Sequence, residues 1–188
     1  MTLISVGGWD GSARFSEVAR TEALRAAFAE SCLQYILTYG FDGVDIDWEY
    51  PVVGGKAGNG KRPQDRENFT LLLAAIRARM GEQSAKDGRR YYLTIAGAST
   101  PSYVGKYTEM ELLAQYVDWI NVMTYDMHGG WDKVTDFGAA LHNNADPTGQ
   151  DKLSAADSVR YYLEAGVPPD KLVLGVPFYA QIYTGVKN

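Results

Sequence analysis

The chain of 188 residues carries a net charge of −5, with 46% hydrophobic and 22% charged residues. These proportions suit a globular domain with a substantial core, and the acidic balance argues against a nucleic-acid binder, which needs a basic patch. No run of about 18 apolar residues exists to span a membrane, and Met1-Thr2-Leu3-Ile4-Ser5 lacks the basic leader and apolar stretch of a signal peptide.

Leu3 to Gly8 reads as a short buried strand that ends in glycines. Thr21 is placed as the N-cap of a helix that runs to about Thr38, with Gly40 as its stop. The apolar stripe of that helix (Leu24, Phe28, Cys32, Tyr35, Ile36) contains the single cysteine, so no internal disulfide can form. A free cysteine on such a stripe is expected to be buried and inert. Phe41 to Tyr50 is the second strand, followed by a loop rich in Gly, Lys and Asn from Val52 to Pro63.

Asp65 to Met80 is predicted helical, with Phe69, Leu72, Leu73 and Ile76 on one face, and Asp87-Gly88 makes a turn. Tyr91 to Ala98 is the third strand, Tyr107 to Tyr116 a helix and Val117 to Asp126 the fourth strand. A polar loop covers Met127 to Lys152. Ser154 and Asp157 then form a capping box for a helix that ends near Gly166, and Leu172 to Tyr179 is the last strand. Strict alternation of helices with nearly all-apolar strands predicts an α/β fold with a parallel sheet covered by helices. Five strands fit either an open doubly wound sheet or part of a (β/α)8 barrel. Trp9, Glu49, Tyr50, Asp126 and Tyr179 gather at the C-terminal strand ends, where both architectures carry their active sites.

The second strand holds the most informative pattern. Side chains at i, i+2 and i+4 share a strand face, which aligns Asp45, Asp47 and Glu49 at steps of about 6.6 Å. Val44, Ile46 and Trp48 take the opposite face, toward the helices. Three carboxylates facing a covered interior repel one another and lose hydration, so at least one is expected to keep its proton near neutral pH. A general acid requires such a group, and Glu49 lies nearest the open end. Spacing alone leaves two other readings open: a solvated acidic face, which a covered sheet disfavours, and a site for Mg²⁺ or Ca²⁺.

The string DGVDIDWEYP, residues 42–51, resembles the signature of the family-18 glycoside hydrolases, the chitinases and their relatives. Ser5-Val6-Gly7-Gly8-Trp9 is similar to that family's third-strand motif, Met123-Thr124-Tyr125-Asp126 to its sixth and Gly175-Val176-Pro177-Phe178-Tyr179 to its seventh. The resemblance implies a secreted hydrolase of β-1,4-linked N-acetylglucosamine that needs no metal or other cofactor. It also implies a retaining reaction in which the substrate's own 2-acetamido group is the nucleophile, an exception to the two-carboxylate scheme. Glu49 would be the proton donor and later the base. Asp47 would hold the acetamido N–H and relay charge between Asp45 and Glu49.

Tyr125 would bind the acetamido oxygen, and Asp126 would hold the distorted sugar. Ser5 would support Asp45, and Met123 would pack beneath the acetamido methyl. Trp9, Tyr50, Trp131 and Tyr179 would line the cleft, where exposed aromatic rings suit the apolar faces of sugars. His128 and His142 receive no role. The family's barrel has eight strands and about 250 residues, so the resemblance implies a fragment covering strands three to seven, without the first two, the eighth or any inserted domain. Tyr179-Ala180-Gln181 also stands where relatives often have Tyr-Gly-Arg. Lectin-like chitin binding without cleavage, or cleavage of N-glycans, are the competing expectations.

Overall fold

The structure, a computed structural model, describes residues 1–143 and 153–187. The end of the predicted 127–152 loop, residues 144–152, lies outside the described residues. Among the described residues, five parallel strands form one sheet in chain order: β1 (Leu3–Gly7), β2 (Gly43–Asp47), β3 (Tyr92–Ala98), β4 (Trp119–Met123) and β5 (Leu172–Leu174). The register aligns Ser5 with Asp45 and Asp45 with Thr94, so one polar row crosses three strands.

The helical elements are α1 (Gly8–Gly11), α2 (Phe15–Ala19), α3 (Glu22–Tyr39), α4 (Asp65–Asp87), α5 (Met110–Leu113) and α6 (Ala155–Glu164). Thr21 caps α3 by accepting from the Leu24 amide at 3.3 Å, and Gly40, with φ 74°, ends it. Ser154 caps α6 in the same way through the Asp157 amide at 3.1 Å. One face of the sheet, with Val44, Ile46, Leu93, Ile95, Ile120 and Val122, is buried in the core shared with α3 and α4. Cys32 is buried there too, and burial pushes its thiol up to about 12.

Several boundaries differ from expectation. The β2 ladder stops at Asp47, three residues before the predicted end, because its neighbour β1 turns away at Gly7. A side chain at Gly7 is impossible: its φ is 121°, and a Cβ would stand 2.0 Å from the Asp47 carbonyl oxygen. β4 ends at Met123 and β5 at Leu174, also short of prediction. The predicted 107–116 helix is replaced by a wide π-type turn over Tyr103–Tyr107, an extended Thr108, and the single turn of α5. By contrast, α4 runs on to Asp87 and ends at Gly88, with φ 70°.

Candidate active site

The carboxylates of β2 occupy three different environments. Asp45 is held within the sheet and accepts hydrogen bonds from Ser5 Oγ at 2.8 Å, Thr94 Oγ1 at 2.6 Å and Asn121 Nδ2 at 3.0 Å. The Trp119 indole N–H donates to Asn121 Oδ1 at 3.0 Å, which orients that amide. Asp47, one step further along, has a buried Oδ1 without a hydrogen-bond partner among the described residues. Its burial, with the charges of Glu49 and then Asp45 beside it, pushes its carboxyl up to about 7. Glu49 is also raised, chiefly by burial; a hydrogen bond from the Tyr50 hydroxyl opposes this and the Asp126 charge adds to it.

Trp48 faces away from these acids. Its ring stacks on Phe15 at 5.4 Å and meets Phe69 edge-on at 5.3 Å, which anchors the chain where the ladder has ended. Beyond it, the Glu49 amide donates to Ser12 Oγ at 2.9 Å, and the Glu49 carbonyl accepts from Asn59 Nδ2 at 3.0 Å. The acids therefore keep the alternation expected of a strand, although Glu49 is supported by side chains rather than by a neighbouring strand.

A cavity of about 690 Å³ opens above the C-terminal strand ends. Asp47, Glu49, Tyr50, Met123, Tyr125 and Asp126 line it, together with Trp9 and Trp131. Trp9 is 52% exposed and Trp131 67%, so both indoles present their rings to solvent at the rim. A Cβ at Gly129 would lie 2.4 Å from the Trp131 ring, so a side chain there would displace the indole from this position. Asp132 braces the same loop by accepting from the Gly129 amide at 2.9 Å, with His128 Nδ1 3.4 Å from its carboxylate.

Asp126 has a left-handed backbone, φ 50°, which aspartate tolerates better than most residues. Tyr179 donates to its Oδ2 at 2.8 Å and Gln181 Nε2 approaches Oδ1 at 3.4 Å. Tyr179 and Gln181 line a second, adjoining cavity of about 510 Å³ that shares Asp126 with the first. Of the residues expected in the site, Ser5 and Asp45 lie beneath the cleft floor, Tyr179 lies in the adjoining cavity, and the other eight share the larger cavity. Sequence reasoning did not find Ser12, Asn59, Thr94 or Asn121. A polar Thr94 and Asn121 within otherwise apolar strands is the one signal that could have marked two of them.

This arrangement can supply a proton from a partly desolvated acid, flanked by a second acid and two tyrosines, to a ligand held between aromatic rings. The chain belongs to the Glycosyl hydrolases family 18, whose profile matches residues 1–188. It is 48% identical to Chitinase A1 of Niallia circulans, covering 98% of this chain and 27% of that protein. Among solved structures, Chitinase ChiA74 from Bacillus thuringiensis superposes with a TM-score of 0.91 at 46% identity, covering 94% of this chain and 28% of that one. A family 18 N-acetylglucosaminidase from Paenibacillus barengoltzii superposes at 0.89 with 42% identity, covering 95% of this chain and 52% of that one. The chain thus spans about a quarter to a half of the length of these relatives.

Proposed function

We propose that residues 1–188 form five consecutive strands of a (β/α)8 catalytic domain that hydrolyses chitin by substrate-assisted retaining chemistry. The observation that carries this reading is that Glu49, Asp47, Tyr125 and Asp126 line a single cavity rimmed by two exposed indoles. Glu49 protonates the glycosidic oxygen as the bond to the anomeric carbon breaks. The 2-acetamido carbonyl attacks that carbon and closes an oxazolinium ring. Asp47 accepts from the acetamido N–H and its negative charge stabilises the cationic intermediate. Tyr125 donates to the acetamido oxygen, and Asp126 holds the distorted sugar. Glu49, now a carboxylate, takes a proton from water as the water opens the ring.

Ser5 supports the row from below through Asp45. Met123 packs under the acetamido methyl, while Trp9, Tyr50, Trp131 and Tyr179 contact the sugar rings. A polymer of this kind is met outside the cell, so secretion is part of the reading. The test is hydrolysis of N-acetylated chitotetraose against its deacetylated counterpart, with the product anomer read by proton NMR. Cleavage of the acetylated substrate alone, with the β-anomer formed first, is expected; equal cleavage of both would remove the substrate's role as nucleophile. The similarity to an N-acetylglucosaminidase favours a second reading, release of single terminal sugars, which the product lengths in the same assay distinguish.

The Asp126 charge helps to keep Glu49 protonated. Asp126→Asn removes that charge, so Glu49 ionises at lower pH and the alkaline limb of the pH–rate profile moves down. A limb that stays in place or moves up would show that Asp126 does not act on Glu49 in this way.

A further inference from the structure

The β2 ladder ends at Asp47 on the β1 side and at Ile46 on the β3 side, so no strand bonds hold the peptide of Glu49. Its two backbone groups are instead bonded by side chains: the Glu49 N–H donates to Ser12 Oγ, and Asn59 Nδ2 donates to the Glu49 C=O. Ser12 is fully buried, and its hydroxyl also lies 2.8 Å from the Gly8 carbonyl and 3.1 Å from that of Asp47. One hydroxyl therefore joins the start of α1, the end of β2 and Glu49. It can donate to only one of the two carbonyls while it accepts from the amide.

Asn59 belongs to a loop that is itself fastened to the segment carrying Ser12. The Gly60 amide donates to the Ala13 carbonyl at 3.2 Å, and Arg62 bonds Ser16 at 2.7 Å and Glu17 at 2.9 Å. Gly55 presses directly on Glu49, since a Cβ there would lie 2.2 Å from the Glu49 carbonyl oxygen. The two clamping residues are thus held to each other as well as to Glu49.

We propose that Ser12 and Asn59 are positioning residues that fix the Glu49 peptide and so aim its carboxyl at the scissile oxygen. Neither side chain is among those lining the cavity, so their effect falls on alignment and not on binding. The proposal rests on Glu49 as general acid, and its test keeps the two claims separate. Asn59→Ala and Asn59→Asp, the second isosteric but unable to donate when ionised, should each lower kcat on chitotetraose about tenfold and leave KM within about twofold, since small misplacements of a reacting group are costly.

A second readout needs no turnover. In the 188-residue chain, Ser12→Ala should speed hydrogen exchange of the Glu49 amide about tenfold or more while the Ile95 amide in β3 is unchanged, and Ser12→Thr, which keeps the hydroxyl, should restore slow exchange. A kcat within about twofold of the parent in both Asn59 variants, a loss carried by KM instead, or an unchanged Glu49 amide in Ser12→Ala overturns the clamp. Parental turnover in Glu49→Gln would overturn the general-acid reading alone, and the exchange rates would then decide the clamp.

Discussion

Glu49→Gln is expected to lower kcat on chito-oligosaccharides by about 10³-fold, within the range that general acid catalysis supplies, while oligosaccharide binding stays close to the parent value. The amide keeps the size of the carboxyl but has no acidic proton to transfer to a departing sugar oxygen. The hydrogen bonds of the Glu49 backbone, its N–H donating to Ser12 Oγ and its C=O accepting from Asn59 Nδ2, do not involve the side chain and remain. The aromatic walls, Trp9 and Trp131 at the rim and Tyr50 within, are also untouched. Turnover on chitotetraose and calorimetric binding of the same ligand check both halves. Turnover within tenfold of the parent would mean that another group carries the proton.

Asp47→Asn is expected to change rate and stability in opposite directions. The rate falls, on the order of 10²-fold, because the intermediate loses the negative charge beside it. Stability rises, and the sign follows from linkage. The carboxyl ionises near 3.8 in the unfolded chain and near about 7 when folded. Across that window the folded state holds the extra proton, so the Asp47 contribution to stability is fully present below 3.8 and is lost as pH rises toward about 7.

Asparagine never ionises. The variant should therefore melt at a higher temperature than the parent at pH 8, with a smaller advantage at pH 5. Thermal unfolding at both pH values, paired with turnover, tests it. An advantage equal at the two pH values, or larger at pH 5, would show that Asp47 does not carry a displaced proton equilibrium.

The alternation of apolar strands with striped helices was enough to read a parallel sheet, because both periods reflect which faces are buried. Thr21, Gly40 and Ser154 were legible for a similar reason: each does its work within one turn of its own position. The ladder ends were not. Alternation in Asp45-Ile46-Asp47-Trp48-Glu49 continues past Asp47 because it is a property of side chains, whereas the ladder needs a neighbour, and β1 stops at Gly7. The far end of α4 escaped because residues after Met80 are mostly polar and leave no stripe. Residues 8–19 fold into three short helical pieces, each too brief to show a period.

The same division runs through the site. Asp45, Asp47 and Glu49 announced themselves by spacing along one strand. Their supporters did not, because Ser12, Asn59 and Asn121 reach them from 37, 10 and 76 positions away, across contacts that only the fold creates. Asn59 in particular sits in a stretch whose Gly and Lys content read simply as loop. Acidity at Asp47 depends likewise on enclosure by other elements, which no local pattern records.

Because the last rung of β2 lies before Glu49, heat should disarm the protein before it melts it. Two side-chain bonds at the end of a strand loosen at lower temperature than a sheet whose apolar face is sealed beneath two long helices. Inactivation on warming would then begin while the circular dichroism of the folded chain is still intact, and would reverse on cooling.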